Sequence, residues 1–197
     1  MTPNGDANDI SCSPDDFVVL ASATAADSKP VWDAKPKPVI DVAPSVSFSY
    51  SGFIKFEPLL MSAIDQRLGS PYRWGATGPG RFDCSGFVWR VYKLQVYSGA
   101  SALAGTLKGR TTFAMSGEVP AAKRIPFARL KPGDVLFWGA AGPRSKPAQV
   151  DHTGIYLGSG WFIHSSGFGV AIAPLSGWYK QRFAWARRPL AEAGIGS

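Results

Sequence analysis

The sequence is poor in the residue types that carry most covalent and metal chemistry. In 197 residues it has two cysteines, Cys12 and Cys84, and two histidines, His152 and His164. Two cysteines do not form a disulfide framework, and the two cysteines and two histidines show no repeated zinc-ligand spacing. No apolar run approaches the ~20 residues that a membrane-spanning helix needs. We therefore predict no disulfide-stapled fold, no metal, no cofactor and no membrane span.

An export signal is also lacking. Residues 17–26 (FVVLASATAA) resemble the apolar core of a signal peptide, but four aspartates and no Lys or Arg precede them. A signal peptide normally begins with positive charge. We therefore predict that no cleaved signal is present.

Charge is divided between an acidic start and a basic body. Residues 1–50 hold seven Asp and three Lys, a net charge of −4, and residues 51–197 carry +11. A basic surface attracts polyanions such as nucleic acid, anionic lipid or anionic wall polymers. No nucleic-acid-binding motif is present, so we predict no nucleic-acid partner.

Three segments are indicated. Residues 1–52 contain six prolines and predict an extended arm with one short strand at 46–50. Residues 53–190 form the folded domain, and 191–197 are a tail. Within the domain we predict helices at about 59–68, with Gly69 as the stop, and from Asp83 or Cys84 to about 96. Over 98–130 we predict loops, with room for one short helix. Strands then follow at 134–138, 152–157, 161–165, 170–173 and 183–187, which indicates an α+β domain.

A nucleophilic cysteine with a histidine base fits the placement of these few residues. At the start of a helix, the Cys84 thiolate would be stabilised by unpaired N–H groups. A hairpin turn at 158–160 would put His152 and His164 on one face of two strands, so one imidazole can orient the other. For a lone cysteine, burial in the core is the commoner role. A zinc site with Cys84 is a further alternative, which lacks a fourth ligand.

Cys12, the other cysteine, affects whether Cys84 can act as a nucleophile. A bond between Cys12 and Cys84 would block the proposed nucleophile. We therefore predict that Cys12 is a free thiol in the arm.

Six short motifs follow one another along the chain: YRWG at 72–75, FDCSGFV at 82–88, RTT at 110–112, LKPGDVLFW at 130–138, HTGIYLG at 152–158 and FIH at 162–164. Their order is typical of the NlpC/P60 family of cell-wall cysteine peptidases, which the chain resembles over about 53–188. The resemblance implies a papain-like α+β fold with helices on a central antiparallel sheet. It also implies hydrolysis of peptidoglycan stem peptides at the D-γ-glutamyl–diamino acid bond.

The resemblance assigns roles to residues. Cys84 corresponds to the nucleophile, His152 to the general base and His164 to the residue that orients it. Tyr72 corresponds to a tyrosine that helps hold the oxyanion. Two further positions, Asp83 and Ser85, correspond to residues that receive the free amine of a stem peptide; a helix N-cap is the structural alternative for Asp83. Arg110 matches a family arginine, for which a structural role is at least as good an explanation.

Other functions remain open. The body could be mounted through residues 1–52 on a phage tail or injection device, or act as an amidase on the same fold. The implied partners are peptidoglycan, anionic wall polymers and an assembly partner for the arm. Action at the wall without a signal implies non-classical export or a virion. The tryptophans at 74, 89, 138 and 185 are at core-like positions, so we predict packing rather than sugar stacking.

Overall fold

The structure is a computed structural model that describes residues 64, 66–96 and 101–194. The predicted arm, its short strand, most of the first predicted helix and residues 195–197 lie outside the described residues. Of that first helix, Ile64 is helical and buried, and Gly69 has a φ of 76°. That left-handed conformation is the usual helix stop for glycine.

A five-stranded antiparallel sheet in the order β4-β3-β2-β1-β5 forms the centre of the described part. Its strands are β1 (Val135–Gly139), β2 (Val150–Gly158), β3 (Trp161–Ser166), β4 (Gly169–Pro174) and β5 (Phe183–Arg187). All five strands were predicted, with ends within two residues of those observed. Helices and an antiparallel sheet together confirm the α+β class.

Short helices surround the sheet. They are α1 (Cys84–Trp89), α2 (Thr112–Gly117), α3 (Gly177–Arg182) and α4 (Pro189–Glu192). A π-helical segment, Arg90–Val96, continues α1, so the predicted helix has its expected length but not a uniform winding. Five 3₁₀ turns lie at Ser101–Gly105, Ala121–Lys123, Phe127–Arg129, Gly142–Arg144 and Pro147–Gln149. No described helix is long and apolar enough to cross a membrane.

Two apolar clusters hold these elements together. The larger joins Phe87 and Val88 of α1 to Val135 and Phe137 of β1 and to Ile155 of β2. In the smaller, alternate β1 residues pack with Phe162 and with Tyr179 of α3. Every residue of β1 is buried because both faces of this central strand are covered. The sheet therefore fixes α1 against β2 and β3, the strands that carry the two histidines.

Candidate active site

Cys84 is the first residue of α1 and has no exposed surface. The loop before it is bonded to the helix, because the Asp83 amide donates to the carbonyl of Ala76 at 3.0 Å. Glycine is required at position 86, since a Cβ there would lie 2.1 Å from the Ala76 oxygen. The Ser165 hydroxyl donates to the carbonyl of Phe82 at 2.9 Å and ties β3 to the same loop. The sulfur is thus held firmly relative to the sheet.

The sulfur of Cys84 is not a thiol in this structure: the residue is disulfide-bonded. No free cysteine occurs in the described part of the chain. The expectation of an unblocked Cys84 is therefore wrong for the state described here. Cys12, which we predicted to be free, lies outside the described residues.

The two histidines lie together as predicted. Ile155 pairs with Ile163 in the hairpin, so His152 is diagonal to His164 on the same face. The Nε2 atom of His152 lies 2.7 Å from the Nδ1 atom of His164, in a hydrogen bond between the rings. Gly154 makes room for this contact, since a Cβ there would lie 3.2 Å from that of His164. The turn at 158–160 and a glycine between the strands thus create the pair.

Burial among aromatic rings keeps both imidazoles neutral. Trp138, Phe162 and Tyr179 pack against the pair, with ring centroids 4.9–6.4 Å from those of the imidazoles. Burial, followed by the charges of His164 and Arg182, holds the pKa of His152 well below its usual value. Burial alone lowers the pKa of His164 to about 3. A neutral His152 can accept a proton at neutral pH.

These lowered pKa values predict a loss of stability in acid. The unfolded chain binds protons on both histidines below about pH 6.5, whereas the folded protein does not, so stability falls as pH decreases from 6.5. At pH 5, each histidine with so low a pKa lowers the free energy of unfolding by about 2 kcal/mol. Urea unfolding at pH 7 and pH 5 measures the loss, and His164→Gln should lose about 2 kcal/mol less. An equal loss of stability in the wild-type protein and in His164→Gln would contradict a neutral, buried His164. Burial raises the pKa of Asp134, so this carboxyl makes the folded protein more stable as the pH falls. The effect of Asp134 is the same in the wild-type protein and in His164→Gln.

Asp83 and Ser85 lie beside Cys84, buried and bonded to each other. The Asp83 carboxylate accepts from the Gly86 amide at 2.5 Å, as a helix N-cap, and from the Ser85 hydroxyl at 3.1 Å. It also pairs with the Arg110 guanidinium. Asp83 thus caps α1, as the structural alternative for this residue predicted. Arg110 pairs with Asp83, which fits a structural role for this arginine.

Tyr72 and Thr112 border the same region. Tyr72 is half-buried and forms an isolated β-bridge with Phe82, two residues before Cys84. Thr112, at the start of α2, is fully buried with its Oγ1 atom 3.6 Å from the Cys84 Sγ. We did not single out Thr112, although it ends the motif at 110–112. Tyr179, which packs on both histidines, was also missed, because α3 has no clear pattern in the sequence.

Trp74 corrects one expectation. It is 47% exposed and not part of the core, whereas Trp138 and Trp185 are buried and Trp89 is partly buried as predicted. With its neighbours it borders a cleft of about 460 Å³, lined by residues 73–78, 80 and 81. The cleft lies in the loop that leads into Cys84. No cluster of His, Cys, Asp or Glu suited to a metal occurs among the described residues.

Comparison with known proteins agrees with this geometry. The model of the NlpC/P60 family matches residues 69–188. "Probable peptidoglycan endopeptidase LytE" of Bacillus subtilis is 33% identical over 66% of this chain and 33% of its own length. "Murein DD-endopeptidase MepH" of Escherichia coli is 34% identical over 68% of this chain and 46% of its own. A solved NlpC/P60 family protein from Bacillus cereus has a TM-score of 0.55 at 29% identity, over 68% of this chain and 40% of that one.

The chain therefore belongs to the NlpC/P60 family. It spans between a third and a half of the two curated relatives named above. The solved NlpC/P60 domain of the peptidoglycan hydrolase SagA is covered almost whole, at 96% of its length and 66% of this chain, with 27% identity and a TM-score of 0.50. The shared part is thus the NlpC/P60 domain.

Proposed function

We propose that the protein is a cysteine endopeptidase that hydrolyses the stem peptides of peptidoglycan. The observation that carries this proposal is the packing of α1, with Cys84 at its first position, against the two strands that bear a hydrogen-bonded pair of neutral histidines. A thiol nucleophile and a histidine held by a third group are the parts that thiol hydrolysis needs. The names of the related proteins support peptidoglycan as substrate.

The proposed reaction proceeds through a covalent intermediate. His152 takes the proton of the reduced Cys84 thiol, and the thiolate attacks the carbonyl carbon of the scissile amide. The oxyanion is stabilised by the Cys84 amide and the Tyr72 hydroxyl. His152 then gives its proton to the leaving amine, and a thioester with the acyl half remains. Water, deprotonated by His152, attacks the thioester and releases the acid and the Cys84 thiol.

The tautomer of the histidine pair decides whether this is feasible. One ring must donate and the other accept across the bond between Nε2 of His152 and Nδ1 of His164. If His152 donates through Nε2, its Nδ1 atom is unprotonated and can accept a proton. We propose this tautomer, in which His164 is the acceptor and acts as a positioning residue.

For the bond cleaved, we propose the D-γ-glutamyl–diamino acid linkage. The family resemblance favours it, while the name of one relative is that of a DD-endopeptidase. Incubating the reduced protein with purified muropeptides and measuring the product masses distinguishes the two bonds, and an amidase would instead release the intact peptide from the sugar. No product above the level of the Cys84→Ala protein would overturn the proposal.

The proposed partners beyond the wall depend on the arm. Anionic wall polymers are candidates because the body from residue 51 onward carries +11. Mounting on a phage tail or injection device through residues 1–52 remains a hypothesis that no described residue supports. For localisation, we propose action at the cell wall after non-classical export or from a virion.

We also propose that the cleft at 73–81 binds a carboxylate of the stem peptide. Arg73 and Arg81 line it beside the exposed Trp74, and the loop continues directly to the nucleophile. Guanidinium groups pair well with carboxylates, and an indole ring adds a flat apolar contact. The cleft is open to solvent, so each pair contributes little, roughly 0–1 kcal/mol.

Removing both arginines should mainly weaken substrate binding. For Arg73→Ala/Arg81→Ala we expect kcat/KM to fall by about three- to tenfold through KM. The loss should vanish with a substrate whose glutamyl carboxylate is amidated. Lys123→Ala/Arg129→Ala removes the same charge from exposed positions elsewhere and serves as the control. If both double variants lowered kcat/KM equally, the loss would be a non-specific effect of charge, and the cleft would not be the carboxylate site.

A further inference from the structure

We propose that Arg182 and its ion-pair partner Asp151 are positioning residues for His152: Arg182 supplies a fixed positive charge that keeps the imidazole unprotonated, and Asp151 holds that charge in place. The inference rests on the proposed function for its catalytic consequence, because it concerns the proposed general base. The contacts that hold the charge belong to the fold itself, so the effect of the charge on the ring can be measured without any turnover.

A β-bulge places Asp151 directly before the proposed base. In the pairing of β1 with β2, Trp138 is opposite His152 and the next residue, Gly139, is opposite Val150, so Asp151 is an extra residue in its strand. A bulge re-aims a side chain and is common next to active sites. The side chain of Asp151 is thereby released from the regular alternation of the strand, at the position next to His152.

The ion pair and an aromatic ring hold Arg182, the last residue of α3, in one place. The Arg182 guanidinium donates to the Asp151 carboxylate, and the two side chains are only 17% and 18% exposed. Its Cζ atom also lies 4.5 Å from the centroid of the Trp178 ring, a stacking contact that suits the planar guanidinium. α3 is tied to β1 as well, because the Nε1–H group of Trp138 donates to the Tyr179 carbonyl at 2.8 Å. The positive charge is therefore fixed relative to the sheet.

Arg182 is the permanent charge that acts on His152. Burial is the main cause of the low pKa of His152, and the charges of His164 and Arg182 follow. The pKa of His164 is about 3, so this ring is neutral at neutral pH, whereas an arginine keeps its charge in proteins. The titratable or charged side chains on β2 itself and on the described helices and strands packed around this ring are Cys84, Asp151, Tyr156, His164, Tyr179, Lys180 and Arg182.

The charge extends the working range of the base towards acid. Only an unprotonated His152 can accept the proton of the Cys84 thiol. A positive charge nearby disfavours a second positive charge on the ring, so Arg182 keeps the base available at lower pH than burial alone would. The Asp151 carboxylate offsets part of the same field, which leaves the ring basic enough to take a proton. The pair thus sets the acidic limit of hydrolysis.

The pH profile of turnover tests this role, because the two partners should shift it in opposite directions. We measure kcat/KM of the reduced full-length protein on muropeptides between about pH 4 and pH 8, where the acidic limb reports protonation of the base. For Arg182→Met we expect the acidic limb to move to higher pH by about 0.5–1 on the pH scale, and for Asp151→Asn to lower pH. Arg182→Lys keeps the charge and should leave the limb close to its wild-type position.

The matched control removes the same charge from the same helix. Lys180 is exposed, with its Nζ atom 5.4 Å from the centroid of the Phe127 ring, and Lys180→Met should leave the acidic limb where it is. If Arg182→Met and Asp151→Asn lower the activity without moving the limb, or move it in the same direction, the pair only stabilises the fold and the proposal is wrong. An equal shift in Lys180→Met and Arg182→Met would also overturn it, since the effect would then be one of net charge.

An NMR titration of the histidine rings tests the same charge without turnover. The chain has two histidines, so the ring signals that are missing in His164→Gln identify those of His152 by elimination. The His152 signals should begin to change at higher pH in Arg182→Met than in the wild-type protein. If Arg182→Met does not fold, Asp151→Asn gives the comparison, with the change at lower pH. Identical titrations would overturn the proposal even in an active enzyme. A shifted titration in a protein that cleaves no muropeptide would reject the proposed function and keep the charge effect.

Discussion

Cys84→Ala will abolish the hydrolysis of muropeptides by the reduced protein. The substitution removes the sulfur at the start of α1, so no thioester can form. Loss of a nucleophile lowers the rate by several orders of magnitude, and we expect at least about a 10⁴-fold decrease in kcat. The measurement is the mass analysis of products from purified muropeptides.

The matched control for this variant is Cys12→Ser. Cys12→Ser removes the other cysteine of the chain and leaves the proposed nucleophile in place. Cys12→Ser should be active and Cys84→Ala inactive, with similar urea midpoints. Activity in a folded Cys84→Ala protein would mean that another residue is the nucleophile.

Local patterns explain why much of the fold was predictable. The Gly-Ser-Gly turn at 158–160 with alternating apolar residues on either side encodes the β2–β3 hairpin, and this hairpin alone brings His152 and His164 within hydrogen-bonding distance. Asp83 marks the start of α1 because its side chain caps the helix. Such signals lie within a few residues of the feature that they determine.

Features that depend on distant parts of the chain were not predictable. Trp74 looked like a core residue, but its loop turns outward where Ala76 bonds to the start of α1. α3 packs its Tyr179 onto the histidines through contacts between elements that are separate in the sequence.

His152→Ala and His164→Gln will differ in severity. His152 is proposed to move the proton, and general acid–base catalysis contributes roughly 10²–10⁴-fold to a rate. We therefore expect His152→Ala to be nearly as inactive as Cys84→Ala. His164 only accepts a hydrogen bond from the Nε2 atom of His152 in the proposed tautomer. A glutamine carbonyl can accept the same bond, so His164→Gln should keep partial activity, about a tenth of the wild-type kcat.

The contrast between acceptors tests the tautomer itself. His164→Leu offers no acceptor to the Nε2–H group of His152, so the ring can adopt the other tautomer, in which Nδ1 carries the proton and cannot take that of the Cys84 thiol. We expect His164→Leu to be at least about tenfold slower than His164→Gln, with a similar KM. Both variants replace the same buried ring, and urea unfolding shows whether they are equally folded. Equal activity of the two would mean that the bond to position 164 does not set the protonation of His152, and the division of roles between the histidines would then be wrong.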